Sequence, residues 1–175
     1  MWYVIQTTTG SEEALVCLIK KMISEDFYKE CFYIKRECAR KEGDGWQIHL
    51  AAMFPGYLIV DTDKPKEMYM ELRKVPKLTK LLKEEGETFL AVSEEEQRFL
   101  EEIQDRQHVV RRSLVQLEAD RKIISADGPV GRYLSHIVRQ RIRKRYVLIE
   151  RELLGEKRSI LFGIRLEEDK LADDD

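Results

Sequence analysis

The segment Phe54-Pro55-Gly56-Tyr57-Leu58-Ile59-Val60 joins a Pro-Gly pair to an apolar run that begins with an aromatic residue. Such a run predicts a β-strand, here over residues 57–61, because these side chains suit a pleated, half-buried surface. Proline presets one backbone angle and glycine accepts positive φ, so the pair predicts a tight turn. The segment therefore indicates a turn that leads into a strand.

The residues before this segment predict a strand, a helix and a hairpin. Residues 2–6 form an aromatic and β-branched run, which predicts a first strand. Ser11, followed by two glutamates, predicts the start of a helix with one apolar stripe, consisting of Leu15, Leu18, Ile19 and Met22. Residues 32–35 and 46–50 flank Gly43-Asp44-Gly45, which predicts a hairpin connection.

The residues after it predict two more helices. Asp63 and Pro65 open one helix, which ends near Pro76 because proline disfavours helical geometry in the residue before it. Ser93 and Glu96 form a capping box ahead of a second helix. The order β-α-β-β-β-α-(β)-α predicts an α/β sandwich, an antiparallel sheet with helices, over residues 1–105.

The remaining chain predicts a second, smaller domain. Residues 106–119 lose strict periodicity and are predicted to connect the domains, and residues 169–175 form an acidic tail. Between them, residues 120–168 contain short β-prone runs separated by turn residues, which predicts a small antiparallel barrel. These runs are 123–124, 133–138, 146–150 and 159–164. The predicted fold class is therefore α+β.

Charge is distributed unevenly between the two halves. Residues 1–105 contain 15 Lys or Arg against 21 Asp or Glu, whereas residues 106–166 contain 15 against 6. Residues 139–145 alone carry five positive charges and no acid. This run indicates a polyanion-binding surface, because guanidinium groups clamp phosphates; the alternative is a solvated charged hairpin. The tail either keeps the chain soluble, the interpretation we favour, or competes with an anionic ligand.

The sequence does not favour an enzyme, a metalloprotein or a membrane protein. His49, His108 and His136 are scattered, and there is no Gly-rich phosphate loop, so neither catalysis nor a cofactor is expected. The three cysteines have neither CxxC spacing nor paired histidines, which argues against zinc and disulfides. No signal peptide or long apolar stretch is evident, so we expect a cytoplasmic protein.

Several motifs together resemble one family, the NusG transcription elongation factors. The motifs are Trp2-Tyr3-Val4-Ile5-Gln6, Gly10-Ser11-Glu12, the Phe54–Val60 segment, Val75-Pro76 and Gly128-Pro129. The resemblance implies an NGN domain that binds the clamp of RNA polymerase, followed by a KOW domain with an SH3-like barrel. It also implies a polymerase-facing patch of Trp2, Tyr3, Phe54 and Tyr57. Trp2 and Tyr57 could equally be core residues, whereas Phe54 is expected to face the partner.

Two departures from the family pattern point to a specialised member. Ser135 replaces the internal glycine of KOW motifs, and Leu153-Leu154-Gly155-Glu156 replaces the tip that general members offer to Rho or a ribosomal protein. The barrel is instead rich in cations, and the chain is most similar to the LoaP group, which implies antitermination through an RNA element. The predicted RNA-binding residues are Arg132, His136, Arg139, Arg141, Arg143, Lys144, Arg145, Lys157 and Arg158; for His136 an ordinary barrel histidine is the alternative.

The basic run suggests a specific geometry for RNA binding. Arginines at alternate positions 139, 141, 143 and 145 would project from one face of an extended strand and follow a phosphate backbone. The expected protein is a monomer whose partners are RNA polymerase, a nascent RNA hairpin and, in addition, non-template DNA. Two other functions stay open: a general NusG-type elongation and pausing factor, and an RNA-binding module without affinity for polymerase.

Overall fold

The computed structural model describes residues 1–76 and 89–172. Their contacts divide the chain into two compact units. Unit 1 comprises Met1–Ile34 and Phe54–Phe99, and unit 2 comprises Lys35–Met53 and Leu100–Asp175. Helices and sheets both contribute, so the predicted α+β class is confirmed. Over the described ranges, no helix has the length and apolarity needed to cross a membrane.

Unit 1 is built on a four-stranded antiparallel sheet. Its strands are β1 (Trp2–Gln6), β2 (Glu30–Phe32), β5 (Tyr57–Asp61) and β6 (Phe89–Ala91), in the order β2-β5-β1-β6. Strands β1 and β5 pair along their whole length, from Trp2 opposite Asp61 to Gln6 opposite Tyr57. The strands predicted at residues 2–6 and 57–61 are therefore confirmed.

Two helices supply the apolar side chains of the unit 1 core. Helix α1 (Glu12–Met22) buries Leu15, Val16 and Ile19, and helix α2 (Pro65–Leu72) buries Met68 and Leu72. These side chains form one cluster with sheet residues such as Ile5, Leu58 and Val60. The predicted stripe on α1 is confirmed in part, because Met22 is 47% exposed.

The turn before β5 is held by one buried carboxylate. Gly56 has φ of +83° and a buried position, and its N–H donates to Glu12 Oε1 at 2.7 Å. The other oxygen, Glu12 Oε2, accepts from Gly10 N–H at 3.0 Å, while Gly56 O accepts from Thr7 N–H at 2.7 Å. Ser11 makes no side-chain cap hydrogen bond, so Glu12 ties the helix start to the turn instead.

Unit 2 contains a three-stranded sheet that begins with a hairpin at the predicted turn. The second predicted strand, 46–50, lies within this hairpin, whereas the first, 32–35, is wrong, because Phe32 ends β2 and Lys35 begins the hairpin. Strands β3 (Lys35–Glu42) and β4 (Gly45–Ala52) are antiparallel, and Gly43 has φ of +56° in the turn between them. Strand β7 (Val109–Val110) adds to β3 in parallel. Helix α3 (Glu94–Ile103) begins in unit 1 and ends in unit 2, ahead of β7. Its capping box is confirmed, because Ser93 and Glu96 exchange hydrogen bonds of 3.0 and 3.2 Å.

The second sheet of unit 2 has five strands in the order β10-β11-β12-β8-β9. The strands are β8 (Ser113–Leu117), β9 (Ile123–Asp127), β10 (Ile137–Arg141), β11 (Tyr146–Leu153) and β12 (Glu156–Arg165). Their inner side chains, among them Val147, Ile149, Phe162 and Ile164, are buried. The side-chain amide of Gln140 links the two edge strands: its Nε2 donates to Arg121 O at 2.9 Å, and its Oε1 accepts from Ile123 N–H at 3.4 Å.

Three segments differ from the expectations. Residues 106–119, predicted as a connection, contain β7 and β8, which pair within unit 2. The run predicted as a strand at 133–138 lies mostly in a 3₁₀-helix, Pro129–His136, because Pro129 follows Gly128 at φ of +133° and starts a helical turn. In the predicted acidic tail, Asp169, Lys170 and Ala172 make hydrogen bonds within unit 2. Residues 173–175 lie outside the described residues.

The Glu12 carboxylate generates a prediction on stability. Burial raises the pKa of Glu12, but backbone hydrogen bonds from Gly56, Glu12 and Gly10 outweigh burial and lower it overall. We expect Glu12→Ala to reduce the free energy of unfolding by about 1–3 kcal/mol, because the buried Gly56 N–H loses its acceptor. Urea titration with Glu13→Ala, an exposed neighbour, as the control measures this; equal losses in both variants would contradict the prediction.

The same carboxylate predicts a pH dependence. A lowered folded-state pKa means that Glu12 stabilises the fold above its unfolded-state pKa and loses this effect as the pH falls through the folded-state value. The stability difference between wild type and Glu12→Gln should therefore narrow as the pH drops from about 7 towards about 3. Unfolding midpoints measured across this range check the prediction, and a difference that widens on acidification would refute it.

Candidate nucleic-acid interface

The predicted row of arginines is broken in the structure. Arg139 and Arg141 lie on β10, Arg143 and Lys144 lie in a short 3₁₀-helix, Ile142–Lys144, and Arg145 has a left-handed φ of +59°. A register shift between Ile137 and Arg139 disturbs the strand further. The expectation that residues 139, 141, 143 and 145 share one face of a strand is therefore wrong, because the chain turns after Arg141.

Four of the five charges in this run nevertheless form a group of available cations. Arg139, Arg141, Arg143 and Lys144 are exposed, and within the described ranges none of them makes a side-chain hydrogen bond or an ion pair. We call these four residues the free basic cluster. Among the described residues no carboxylate pairs with these charges, so an anion can approach them without displacing such a partner.

Arg145 is different, because its guanidinium is committed to the fold. Its side chain is 11% exposed and forms a bidentate ion pair with Asp169, whose side chain is 7% exposed. Nε lies 2.7 Å from Asp169 Oδ2, and Nη2 lies 2.6 Å from Oδ1. The guanidinium also lies 4.5 Å from the centre of the Trp46 ring, a cation–π distance. Arg145 is thus positioned as a structural residue.

The other predicted RNA-binding cations have acidic partners within unit 2. Arg132 Nη1 lies 3.6 Å from Glu102, Lys157 Nζ lies 3.2 Å from Glu150, and Arg158 Nη2 lies 3.3 Å from Glu156. Arg158 Nε also donates to Leu153 O at 2.9 Å. The imidazole of His136 is exposed, lies 3.3 Å from Ser135 Oγ and contacts the Tyr133 ring edge-on. These cations therefore differ from the free basic cluster in having a carboxylate partner within the protein.

The strands next to the free basic cluster add a residue that the sequence analysis missed. Tyr146 lies opposite Arg141 on β10 and opposite Gly163 on β12. Residues opposite each other in a sheet share a face, so the tyrosine is a direct neighbour of a free arginine. Its position immediately after the basic run, at the start of a predicted strand, was the signal that could have identified it.

The C-terminal residues of the described chain take part in the fold. Trp46 N–H donates to Lys170 O at 2.9 Å, and Ala172 N–H donates to Trp46 O at 3.0 Å. Gly45 permits this approach, because a Cβ there would lie 2.5 Å from Ala172 N. Burial raises the pKa of Asp169, but its hydrogen bonds with Arg145 and Leu166 N–H lower it overall. Asp169, the first acid of the predicted tail, is therefore a structural partner of Arg145. This role differs from both predicted roles of the tail, which were solubility and competition with an anionic ligand.

The predicted polymerase-facing aromatics of unit 1 divide into buried and accessible residues. Trp2 and Phe54 are buried, at 7% and 8% exposure, and the Trp2 ring contacts Phe32 edge-on at 5.3 Å. The expectation that Phe54 presents its side chain to a partner is therefore wrong, because that side chain is buried. Tyr3 and Tyr57 are half-buried; Tyr3 stacks on Phe89 at 4.7 Å, and Tyr57 Oη accepts from Gln6 at 3.2 Å.

An antiparallel sheet with helices and a β-rich unit together make a mixed α+β protein, the fold class that the resemblance implied. Residues 1–101 match the family model NusG, described as transcription termination factor nusG. The chain therefore belongs to the NusG family of transcription factors. A solved structure of NusG from Thermotoga maritima is similar, with 19% sequence identity, a TM-score of 0.48 and coverage of 93% of this chain and 92% of that one. No curated protein matches the sequence.

The Arg145–Asp169 pair predicts that Arg145 contributes to stability, whereas the cations of the free basic cluster do not. Arg145→Ala leaves a buried carboxylate without its partner, so we expect the free energy of unfolding to fall by about 3–5 kcal/mol. Arg143→Ala, two residues away and exposed, should change it by less than about 0.5 kcal/mol. Thermal and urea unfolding measure both values. Similar stabilities for the two variants would show that the buried pair does not hold this turn.

Proposed function

We propose that this NusG-family protein is a specialised antitermination factor of the LoaP type. It binds elongating RNA polymerase through unit 1 and a structured nascent RNA through the basic side of unit 2. It acts by binding alone, with no catalytic step. The observation that carries the proposal is the free basic cluster, because four exposed cations lie within six consecutive residues and have no partner in the part of the chain that the structure describes.

The electrostatics of the cluster favour a polyanion over a small ligand. Arg139, Arg141 and Arg143 offer planar donor forks that fit phosphate oxygens, and Lys144 adds a point charge. Binding to four phosphates releases counterions, so the logarithm of the affinity should fall with the logarithm of the salt concentration at a slope of about −2.8 to −3.6. The paired cations Arg132, Lys157 and Arg158 would contribute less, because an internal carboxylate must first be displaced.

Simultaneous binding to polymerase would strengthen a moderate affinity for RNA. When one unit is attached to the transcribing enzyme, the second contact becomes effectively intramolecular, and the local concentration of transcript replaces its concentration in solution. A cluster of only four cations then suffices to recruit the protein to a transcript that has just emerged. The non-template DNA strand is a further polyanion that the same chemistry would accommodate.

The accessible aromatics of unit 1 are the proposed polymerase contact. Tyr3, stacked on Phe89, and Tyr57 are both half-buried, so each presents part of a ring while its position is held by the sheet. Rigid, partly exposed aromatic side chains account for much of the binding energy in modest protein interfaces. Trp2 and Phe54 support this surface from within the unit rather than contact the polymerase.

A second function is favoured by the family match itself. The model that matches residues 1–101 is described as a transcription termination factor. On this alternative the protein is a general NusG-type elongation, pausing and termination factor, and its basic unit binds nucleic acid or protein without selecting a particular RNA.

Transcription of a template with a terminator, with and without an upstream hairpin leader, tests the two functions against each other. The antitermination proposal requires readthrough that depends on the leader and on the protein together. Equal readthrough without the leader would favour the general function, and increased termination would exclude the antitermination proposal.

The free basic cluster generates a prediction on salt dependence. Replacing Arg139, Arg141, Arg143 and Lys144 by Gln should weaken binding to a hairpin RNA and flatten the salt slope by about 2.8–3.6. The control replaces the paired cations Arg132, Lys157 and Arg158 by Gln and should retain most of the slope. Fluorescence anisotropy at several salt concentrations measures both. A slope unaffected by the cluster variant would refute RNA binding at this site.

The aromatic contact generates a prediction on polymerase binding. Tyr57→Ala should weaken capture of core RNA polymerase by about tenfold, the range expected for loss of an interface aromatic. Phe27→Ala, a change to a half-buried aromatic that packs against the core cluster, is the control for lost stability. Pull-down and biolayer interferometry measure the effect. Undiminished binding by Tyr57→Ala would exclude this residue from the interface.

A further inference from the structure

The outer face of strands β10, β11 and β12 carries two cross-strand rows next to the free basic cluster. One row consists of Arg141, Tyr146 and Gly163, and the next consists of Arg139, Leu148 and Leu161. The neighbouring residues on β11 and β12, such as Val147 and Phe162, are buried, so these rows lie on the opposite face of the sheet. At the β12 end of the first row this face is covered, because Gly163 is buried against Glu37 and Arg112. The two rows contain two arginines, an aromatic ring and two leucines, and no acid.

Tyr146 lies at the centre of this face with its polar end unused. Its side chain is half-buried, and within the described ranges its hydroxyl has no hydrogen-bond partner. Arg141 flanks it on one side. On the other side is Gly163, where a Cβ would lie 2.5 Å from the carbonyl oxygen of Glu37. The ring therefore has an exposed guanidinium as one neighbour and a buried glycine, covered by the backbone of Glu37, as the other, so a ligand would reach the ring from the Arg141 side.

This arrangement matches the chemistry of an unpaired nucleotide. Bases that are splayed out of a loop or bulge stack on aromatic side chains, and arginines beside the ring bind the adjoining phosphates. We propose that Tyr146 is the stacking platform for an unpaired base of the bound RNA, with Arg141 and Arg139 on the flanking phosphates. This inference rests on the proposed RNA binding and adds that the recognised element contains an unpaired base.

The charge of the face decides between RNA and a protein partner. An apolar surface bordered by leucines could also accept a peptide, but both charged positions in the two rows are arginines without internal partners. The nearest acid on β11, Glu150, lies in the following row and is paired with Lys157 at 3.2 Å. The surface is thus complementary to a ligand that combines a flat apolar ring with negative charge, which describes a nucleotide.

The test uses the full-length protein and two RNA probes with the same stem. One probe is a hairpin with an adenine-rich loop that carries 2-aminopurine, and the other is a blunt-ended duplex. Tyr146→Leu should weaken binding of the hairpin by about 5- to 150-fold, the range for loss of one stacked base, without changing the salt slope. It should leave duplex binding unchanged, and it should abolish the change in 2-aminopurine fluorescence seen with wild type. Tyr146→Phe keeps the ring and should behave as wild type.

The outcomes separate this inference from the proposed function. If wild type binds the hairpin with the expected salt slope but Tyr146→Leu binds equally well, stacking on Tyr146 is refuted and RNA binding stands. If wild type binds neither probe, both are refuted, and a peptide partner becomes the better account of the face. Unfolding curves of Tyr146→Leu exclude a loss of fold as the cause: a variant that binds the duplex with unchanged affinity and has lost only the hairpin preference confirms the platform.

Discussion

The buried ion pair between Arg145 and Asp169 is the interaction on which the basic side of unit 2 depends. Arg145 adopts a left-handed backbone conformation, which costs about 1–3 kcal/mol for a residue other than glycine and persists only when the surroundings enforce it. They do so through Asp169, through the Ile142 carbonyl at 2.5 Å from Nη1, and through the Trp46 ring. This residue lies between the short 3₁₀-helix and β11, so it determines where Arg143, Lys144 and Tyr146 are displayed.

Much of the fold could be predicted from the sequence because its determinants are local. The strand at 57–61, the hairpin around Gly43 and the capping box at Ser93 each follow from a few adjacent residues. The predictions failed where distant parts of the chain decide the structure. Residues 106–119 are short of periodic signal, yet their strands are stabilised by pairing with β3 and β12. Phe54 adjoins the exposed Pro55, but its own side chain is buried.

The sequence could predict that the candidate site lies in the basic run at residues 139–145. It could not predict which of these cations are exposed and available to a ligand. Asp169, 24 residues beyond Arg145 in the chain, removes that arginine from the available charges, and no sequence spacing reveals such a pairing. Three other cations are paired with Glu102, Glu150 and Glu156. These pairs are more exposed and therefore weaker, so they restrict the cations less than Asp169 restricts Arg145. The distinction between cations that hold the fold and cations that can bind a ligand therefore appears only once the tertiary contacts are known.

Protection of a sheet edge is the competing explanation for exposed arginines on β10, and it accounts for only part of the cluster. Strand β10 is an outer strand of its sheet, and cations on such strands discourage pairing with other chains. Arg139 and Arg141 fit that role. Arg143 and Lys144 do not, because they lie in a 3₁₀-helix that offers no strand edge. Four like charges this close also repel one another. Protection of an edge does not need so many charges, whereas a bound polyanion would neutralise them and remove the repulsion.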